Sequence, residues 1–222
     1  MRFMESYTTS VSDPWIVIDK EDFDHLKDDE RFWCLVTLAR AVNSFQFCYS
    51  ALVSTSGNSN STVRAKRSSF LFICALFTEV QPLVGSMGRY FRDFETFQEL
   101  SRVINSQDAQ SLLKSNLRPV RNAQVFHFDT ADTGKQLKWA LLPPEPVFLS
   151  VTGTASNERY WELADLCSMS TFLRGPDLQE EGLPEIINHR ISSTVEVTIK
   201  FVNAAELFLV DALENRSKWI TP

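Results

Sequence analysis

The sequence predicts an all-α fold, a helical bundle whose long helices pack antiparallel and which carries an irregular insert near residues 130–156. Apolar residues recur at helical spacing over residues 32–52 and again over residues 70–80. In addition, no internal repeat can be followed at any period. Because 222 residues suffice for one well-buried domain, we expect an N-terminal arm, 1–18, followed by a single helical domain, 19–222.

A long first helix is expected from about Asp19 to near Val53. Asp19 can cap its start, and acidic residues fill the first turns, where the helix dipole favours them. The apolar positions at helical spacing are Phe32, Leu35, Val36, Leu38, Ala39, Val42, Phe45, Phe47, Ala51 and Leu52. We interpret the Phe-rich stripes of this helix and the next one as core or dimer interface.

A second long helix is expected after the Ser- and Asn-rich loop at residues 54–62. It begins near Val63 and runs through Val80. Pro82 then either kinks the helix or divides it, because proline lacks a backbone donor and clashes with the preceding turn. An amphipathic run over residues 89–104 and a short helix over residues 107–115 complete this part of the chain.

The chain beyond Asp129 is less regular. Residues 130–134 read as a loop, residues 143–146 contain three prolines, and residues 147–151 are a strand or an extended connector. A helix is expected over residues 157–173. Residues 191–202 alternate like a strand, but a helical stripe also runs from Ile187 to Ala212. We choose one long final helix starting near Pro184, since a single strand would lack a partner.

The composition is that of a soluble globular protein, with 44% hydrophobic and 23% charged residues. The formal net charge of −6 argues against a general nucleic-acid binder, because no global positive field exists. Local clusters still leave room for a basic cleft, although solvated helix faces produce such groups routinely. The clusters are Arg64 with Lys66 and Arg67, Arg89 with Arg92, and Arg118 with Arg121.

The four cysteines form no CxxC pair, and each lies in an apolar segment. We expect Cys34, Cys48, Cys74 and Cys167 to be buried free thiols, with no disulfide framework and no metal site. The N-terminus lacks an apolar signal core, and the apolar run at residues 70–77 is too short to span a bilayer. We therefore expect a cytoplasmic protein that binds no membrane, no metal and no cofactor.

Residues 117–129 concentrate the side chains that could perform chemistry on a phosphodiester. His127 can act as base or acid because its ordinary pKa lies near neutrality, and Arg121 offers a planar, permanently charged fork of donors for a phosphate. Asn122 can orient either group. On a regular helix, residues six apart differ by roughly 120° in direction, so the two lie on adjacent faces. The alternative is a partly buried His127 between Phe126 and Phe128, bonded to a backbone carbonyl.

The string Arg121-Asn122-x-x-x-Phe126-His127, late in a helical chain, resembles the motif of the HEPN superfamily, in its AbiU2-like abortive-infection and toxin branch. The resemblance implies a metal-independent endoribonuclease of toxin or phage-defence type, in which two subunits bring both Arg-His sets into one cleft. It assigns catalysis to Arg121 and His127, support to Asn122 and Asp129, and RNA contact to Arg118. A protein antitoxin or regulator is the further partner that it implies.

A second hypothesis is a non-catalytic helical module on the same scaffold, which binds a protein partner or a nucleotide. The two hypotheses predict different surroundings for His127: an open basic groove at a two-fold axis, or enclosure by Phe side chains. The other histidines fit surface positions, His25 among aspartates at a helix start and His189 on the final helix. Whether residues 130–156 cover the site as a lid is left open by the sequence.

Overall fold

The computed structural model describes residues 18–54, 60–114 and 183–219, and within these ranges all regular structure is helical. This confirms the predicted all-α class for the described part of the chain. The N-terminal arm before residue 18 and the insert at 130–156 lie outside the described residues. The helices are α1 (Lys20–Leu26), α2 (Glu30–Ser54), α3 (Asn60–Phe91), α4 (Glu95–Ile104), α5 (Gln107–Leu112), α6 (Leu183–Glu214) and a final 3-10 turn (Arg216–Lys218).

The single helix expected from Asp19 to near Val53 is two helices, because helical structure is interrupted between Leu26 and Glu30. Asp19 caps α1 as predicted, its carboxylate accepting from the Asp22 N–H at 2.8 Å. Asp29 then caps α2, with its Oδ1 accepting from the Arg31 N–H at 2.7 Å. A second cap ten residues after the first gives the chain a new helix start, and the prediction of one continuous helix from Asp19 was wrong.

The second helix is longer than predicted, since α3 continues through Pro82 to Phe91 and is not divided there. Pro82 is exposed, while Val80 and Val84 on either side are buried, so core packing holds the helix across the missing donor. The expected amphipathic run over 89–104 is divided instead between the end of α3 and the separate helix α4. The short helix expected over residues 107–115 is α5, which ends at Leu112, and the Ser106 Oγ at its start accepts from the Ala109 N–H.

The final segment is one helix of 32 residues, which confirms the helical alternative and rules out a strand over 191–202. The polar residues of the alternating pattern form contacts between successive turns of this helix. Glu196 pairs with Lys200 one turn away at 2.6 Å. Thr198 is buried, and its hydroxyl donates to the Thr194 carbonyl at 2.7 Å, which removes the cost of burying it.

The long helices pack antiparallel around a shared core. α2 runs antiparallel to α3, with Glu30 beside Tyr90 at one end and Phe45 beside Phe77 near the other. α2 is also antiparallel to α6, and α4 packs on α6 through a hydrogen bond from the Thr96 hydroxyl to Asp211 at 2.6 Å. The result is a bundle of α2, α3, α4 and α6, with α5 packed against α4 and α6.

Phenylalanine rings fill this core in two clusters. In the middle, Phe45, Phe77 and Phe201 are fully buried, with ring centroids 4.9–5.8 Å apart. Toward the C-terminal end of α6, the ring centroids of Phe91 and Phe208 lie 5.3 Å apart. The cluster around them also contains Phe94, Phe97 and Trp219. Burying each such ring stabilises the fold by roughly 1.5–3 kcal/mol.

One segment of α3, Ser68–Phe91, is long and apolar enough to cross a membrane by length and composition alone, with a mean hydropathy of 1.6. It extends well beyond the apolar run at residues 70–77. In the bundle 44% of this window is buried, and its inward residues include Phe77 and Phe91 of the two aromatic clusters. A core helix of a soluble protein has the same composition, so this segment is weak evidence for a membrane span.

Candidate functional site

All five residues that the sequence assigns to the site lie outside the described residues. They are Arg118, Arg121, Asn122, His127 and Asp129. The roles given to them therefore stay predictions, as does the choice between an open and an enclosed His127. The structure does describe the helices that precede and follow this part of the sequence, α5 and α6, and the surface between them.

The helix before the candidate stretch is firmly attached to the bundle. Leu112 and Leu113 at its end are buried, and the Gln110 side-chain amide donates to the Ile104 carbonyl at 3.0 Å. Arg118 and Arg121 follow Lys114, the final described residue of this region, by four and seven positions in the sequence. The helix that precedes the candidate stretch in the sequence is therefore anchored in the bundle.

A shallow cleft of about 200 Å³ lies between α4, the start of α5 and the middle of α6. Val103 and Val197 supply its apolar part. Its polar lining consists of Glu99, Arg102, Ser106, Asp108 and Lys200. No sequence pattern had singled these residues out, because they come from three helices and each looks like an ordinary solvated helix position.

The charges around the cleft are balanced. Arg102 pairs with Glu99, and Lys200 lies 2.6 Å from the carboxylate of Glu196. The hydrogen bond between this last pair raises the pKa of Lys200 and lowers the pKa of Glu196. Because each cation has a carboxylate beside it, the cleft can hold a small polar or zwitterionic group but presents no excess positive charge to a phosphate backbone.

None of the described residues that line this cleft is a histidine. Both described histidines are elsewhere and exposed, His25 in the last turn of α1 and His189 near the start of α6. The Nδ1 of His189 lies 3.4 Å from the Ser193 hydroxyl. These positions agree with the prediction that His25 and His189 are surface residues, and they leave His127 as the candidate acid or base.

The opposite end of the bundle carries a cluster of ion pairs with a structural role. The Arg31 guanidinium holds the Asp29 carboxylate at 2.5 Å and donates to the Trp219 carbonyl, which ties the start of α2 to the C-terminus. That hydrogen bond from Arg31 lowers the pKa of Asp29. Nearby, the Tyr90 hydroxyl donates to Glu30, and this bond raises the pKa of Tyr90.

The described cysteines are free thiols. Cys48 and Cys74 are buried as predicted, whereas Cys34 is only partly buried. Burial raises the pKa of all three thiols, which keeps them protonated and unreactive at neutral pH. Cys167 lies outside the described residues. Within residues 18–54, 60–114 and 183–219, no group of three His, Cys, Asp or Glu side chains could hold a metal ion.

The basic clusters have different surroundings. Arg89 pairs with Glu30 at 3.4 Å and lies over the Tyr90 ring, 4.5 Å from its centroid. Arg92 is exposed, and Lys66 is partly buried. The third cluster, Arg118 with Arg121, lies outside the described residues.

A scan against protein-family models and searches of curated proteins and of solved structures found no match for this chain. The resemblance to the HEPN superfamily consequently rests on the short motif in the sequence. Its coarser implication, an all-helical bundle of long antiparallel helices, agrees with the described structure.

Proposed function

We propose that this protein is an HEPN-like, metal-independent endoribonuclease of toxin or phage-defence type. The observation that carries the proposal is the string Arg121-Asn122-x-x-x-Phe126-His127 in the sequence. Support comes from its setting, since the string follows α5 and precedes α6 in a chain whose described part is an antiparallel helical bundle. The motif combines a side chain that titrates near neutrality with one that never loses its charge, as phosphodiester cleavage requires.

The proposed reaction uses the ribose 2′-hydroxyl as nucleophile. His127 removes the proton from the 2′-oxygen, which attacks the adjacent phosphorus, while Arg121 stabilises the charge that accumulates on the phosphorane oxygens. The bond to the 5′-oxygen breaks, and this oxygen leaves after taking up a proton. The products are a 2′,3′-cyclic phosphate and a 5′-hydroxyl. Asn122 and Asp129 support the two groups, and Arg118 contacts the RNA backbone.

A homodimer is part of the proposal because the reaction needs both a base and an acid. His127 is the one histidine of the motif in each chain, so a second copy of the motif supplies the other proton-transfer group. Pairing two motifs also doubles the local positive charge in a protein whose net charge is −6. The balanced cleft between α4 and α6 would not provide that charge.

The cellular setting is proposed on the same grounds. A nuclease of this type acts on cytoplasmic RNA and needs a restraint, for which a protein antitoxin or regulator is the expected partner. No cofactor takes part, because the reaction needs only proton transfer and charge stabilisation.

The test is RNA cleavage with a metal chelator present, in which wild type is compared with Arg121→Ala and His127→Ala. We expect wild type to cut and each variant to lose at least about 100-fold in rate, the lower end of what a positioned acid or base contributes. His25→Ala and His189→Ala are matched controls, because both histidines are exposed in the described part of the chain. A wild type that leaves RNA intact, or variants that cut equally well, would remove the proposal.

A second candidate function is a non-catalytic helical module that binds a small polar ligand or a protein. It is favoured by the cleft between α4 and α6, whose paired charges and lack of a histidine suit binding better than proton transfer. Under this alternative, wild type cuts no RNA, and reversing the charge at Arg102 or Lys200 weakens the binding of a ligand. The chelator assay and its histidine controls separate the two candidates.

A further inference from the structure

The first helix, α1, is attached to the bundle by few side chains. Leu26 is the one buried residue among its seven. Phe23 is 48% exposed, and its ring meets the edge of Phe32 in α2 with 6.3 Å between the ring centroids. A helix of this length is not stable by itself in water, because the first turn costs more conformational entropy than its hydrogen bonds return. The helical form of α1 therefore depends on its contacts with the rest of the chain.

An ion pair joins α1 to the C-terminal turn, by which we mean the 3-10 turn and the residue after it, 216–219. One guanidinium nitrogen of Arg216 lies 3.2 Å from the Asp22 carboxylate of α1. Another donates to the Leu213 carbonyl in the last turn of α6, also at 3.2 Å, which orients the guanidinium. Both side chains of the pair are partly exposed, so its contribution is modest and sensitive to salt.

The C-terminal turn is itself well anchored in the bundle. Trp219 is 4% exposed, and its ring centroid lies 6.0 Å from that of Phe91. Its indole N–H donates to the Ala212 carbonyl at 2.7 Å, and its own carbonyl accepts from Arg31. The turn thus offers α1 a fixed point of attachment, whereas α1 contributes little buried surface of its own.

The start of α2 is held in place by contacts that do not involve α1. Asp29 caps α2 and pairs with Arg31, which also donates to the Trp219 carbonyl. These contacts all lie beyond the end of α1 at Leu26. Because helical structure is interrupted over residues 27–29, α1 can leave the bundle through changes in these backbone angles while α2 stays in position.

We propose that α1 is a detachable flap, and that the ion pair between Asp22 and Arg216 controls how often it opens. Elements with little buried apolar surface open locally, at a free energy far below that of global unfolding. Opening withdraws Leu26 from the core and removes Phe23 from the edge of Phe32, which is 8% exposed in the closed form. The flap therefore exposes apolar surface at this end of the bundle while the aromatic clusters stay packed.

This inference does not rest on the proposed nuclease activity. The flap and the C-terminal turn are separate in the sequence from the motif at 117–129. A protein that cuts no RNA can therefore have the flap, and an active nuclease can lack it.

The first experiment measures amide hydrogen exchange of the full chain at neutral pH and low salt, resolved at single residues. The amides of Phe23 and Lys27 donate to the backbone in the closed form. They should exchange at least about 100-fold faster than those of residues 70–80 in α3, since the flap opens without global unfolding. Leu26→Ala should remove their remaining protection and leave residues 70–80 protected. Equal protection of α1 and residues 70–80 in wild type would overturn the proposal.

The second experiment tests the ion pair. Arg216→Gln and Asp22→Asn should each speed exchange at Lys27 by about two- to fivefold, the usual worth of a partly exposed pair. The two changes together should add nothing further, because either one already breaks the contact. Raising the ionic strength should speed this exchange in wild type and leave the double variant unchanged. Glu21→Gln is the matched control, since Glu21 is an exposed acidic residue in the same helical turn.

Exchange at residues 70–80 shows whether the bundle of each variant is intact. Additive effects of Arg216→Gln and Asp22→Asn would mean that the two residues act separately, and would overturn the role of the ion pair. An effect of Glu21→Gln as large as that of Asp22→Asn would overturn it as well, since the loss of either acidic residue would then suffice.

Discussion

The two faces of α2 carry similar patterns and have opposite surroundings. Inside, Leu35, Leu38, Val42 and Phe45 are buried against α3 and α6. Outside, two residues beyond Phe45, Phe47 is 74% exposed. Both stripes have the spacing of a packed helix face, so spacing alone does not say which neighbour a face packs against. Within the described chain the difference comes from the partners, since α3 and α6 present rings to the inner face only.

The largest expected effect compares the two phenylalanines directly. Phe45→Ala removes a fully buried ring that packs on Phe77 and Phe201, and should lower the free energy of unfolding by about 3–5 kcal/mol. Phe47→Ala should change it by less than about 0.5 kcal/mol. Urea unfolding at low protein concentration, where the monomer dominates, measures both values. Equal losses for the two variants would contradict the assignment of inner and outer faces.

A smaller effect is expected at the start of α2, where the helix is capped and tied to the C-terminal turn. Asp29 caps the helix and holds Arg31, which reaches the Trp219 carbonyl. Asp29→Ala should cost about 1 kcal/mol at neutral pH. Asp29→Asn, which keeps an acceptor for the cap but loses the charge, is the matched control and should cost less.

The pH dependence of the Asp29 contribution follows from its lowered pKa. Since Arg31 holds the folded pKa below the ordinary value of 3.8, the stabilisation is complete above 3.8 and disappears as the pH falls through the folded pKa. Chemical unfolding of wild type and Asp29→Asn at several pH values should therefore show curves that converge in acid. A difference that grows on acidification would contradict this sign.

The smallest effect on stability is expected where Gln46 of α2 contacts Glu206 of α6, at the border between the inner and outer faces of α2. Glu206 accepts from Gln46 there, and burial raises the pKa of Glu206 above 4.5. A raised pKa means that its stabilising contribution is complete below 4.5 and is lost as the pH rises through the folded pKa. Glu206→Gln should therefore equal or exceed wild type in Tm at neutral pH, by less than about 4 °C.

Glu196→Gln, on the same helix, is the control for that prediction. Its hydrogen bond to Lys200 lowers the pKa of Glu196, so wild type should lose its advantage over this variant as the pH falls. The two variants of α6 should thus change the pH dependence of Tm in opposite directions. The same direction for both would show that burial does not govern Glu206.

Sequence reasoning was most successful where local chemistry and core packing agree. The Asp19 cap, the short helix that begins at Gln107 and the choice of one long final helix starting near Pro184 are confirmed. The predicted apolar set of the first helix, however, combined residues from both faces of α2. Val36 and Phe47 belonged to it, and they are exposed.

The failures share a physical cause, which is that tertiary partners decide between local alternatives. Pro82 lies inside α3 because Val80 and Val84 are held in the core, and neither position looks unusual in the sequence. The interruption before α2 depends on the ion pair between Asp29 and Arg31. Asp29 is one of several acidic residues over positions 21–30, so the sequence does not distinguish it as a second helix start. The cleft near α5 needs residues from three helices, so no single segment indicates it. The residues of the proposed nuclease site remain sequence predictions.

The most direct test of the proposed function is the chemistry of the RNA ends after incubation in the presence of a chelator. We compare an RNA oligonucleotide with the same sequence carrying 2′-deoxyribose, for wild type and His127→Ala. The account predicts that wild type cuts the RNA alone, leaves 2′,3′-cyclic phosphate and 5′-hydroxyl ends, and loses this activity with His127. Intact RNA, cleavage of the deoxy substrate, or 3′-hydroxyl ends would contradict it.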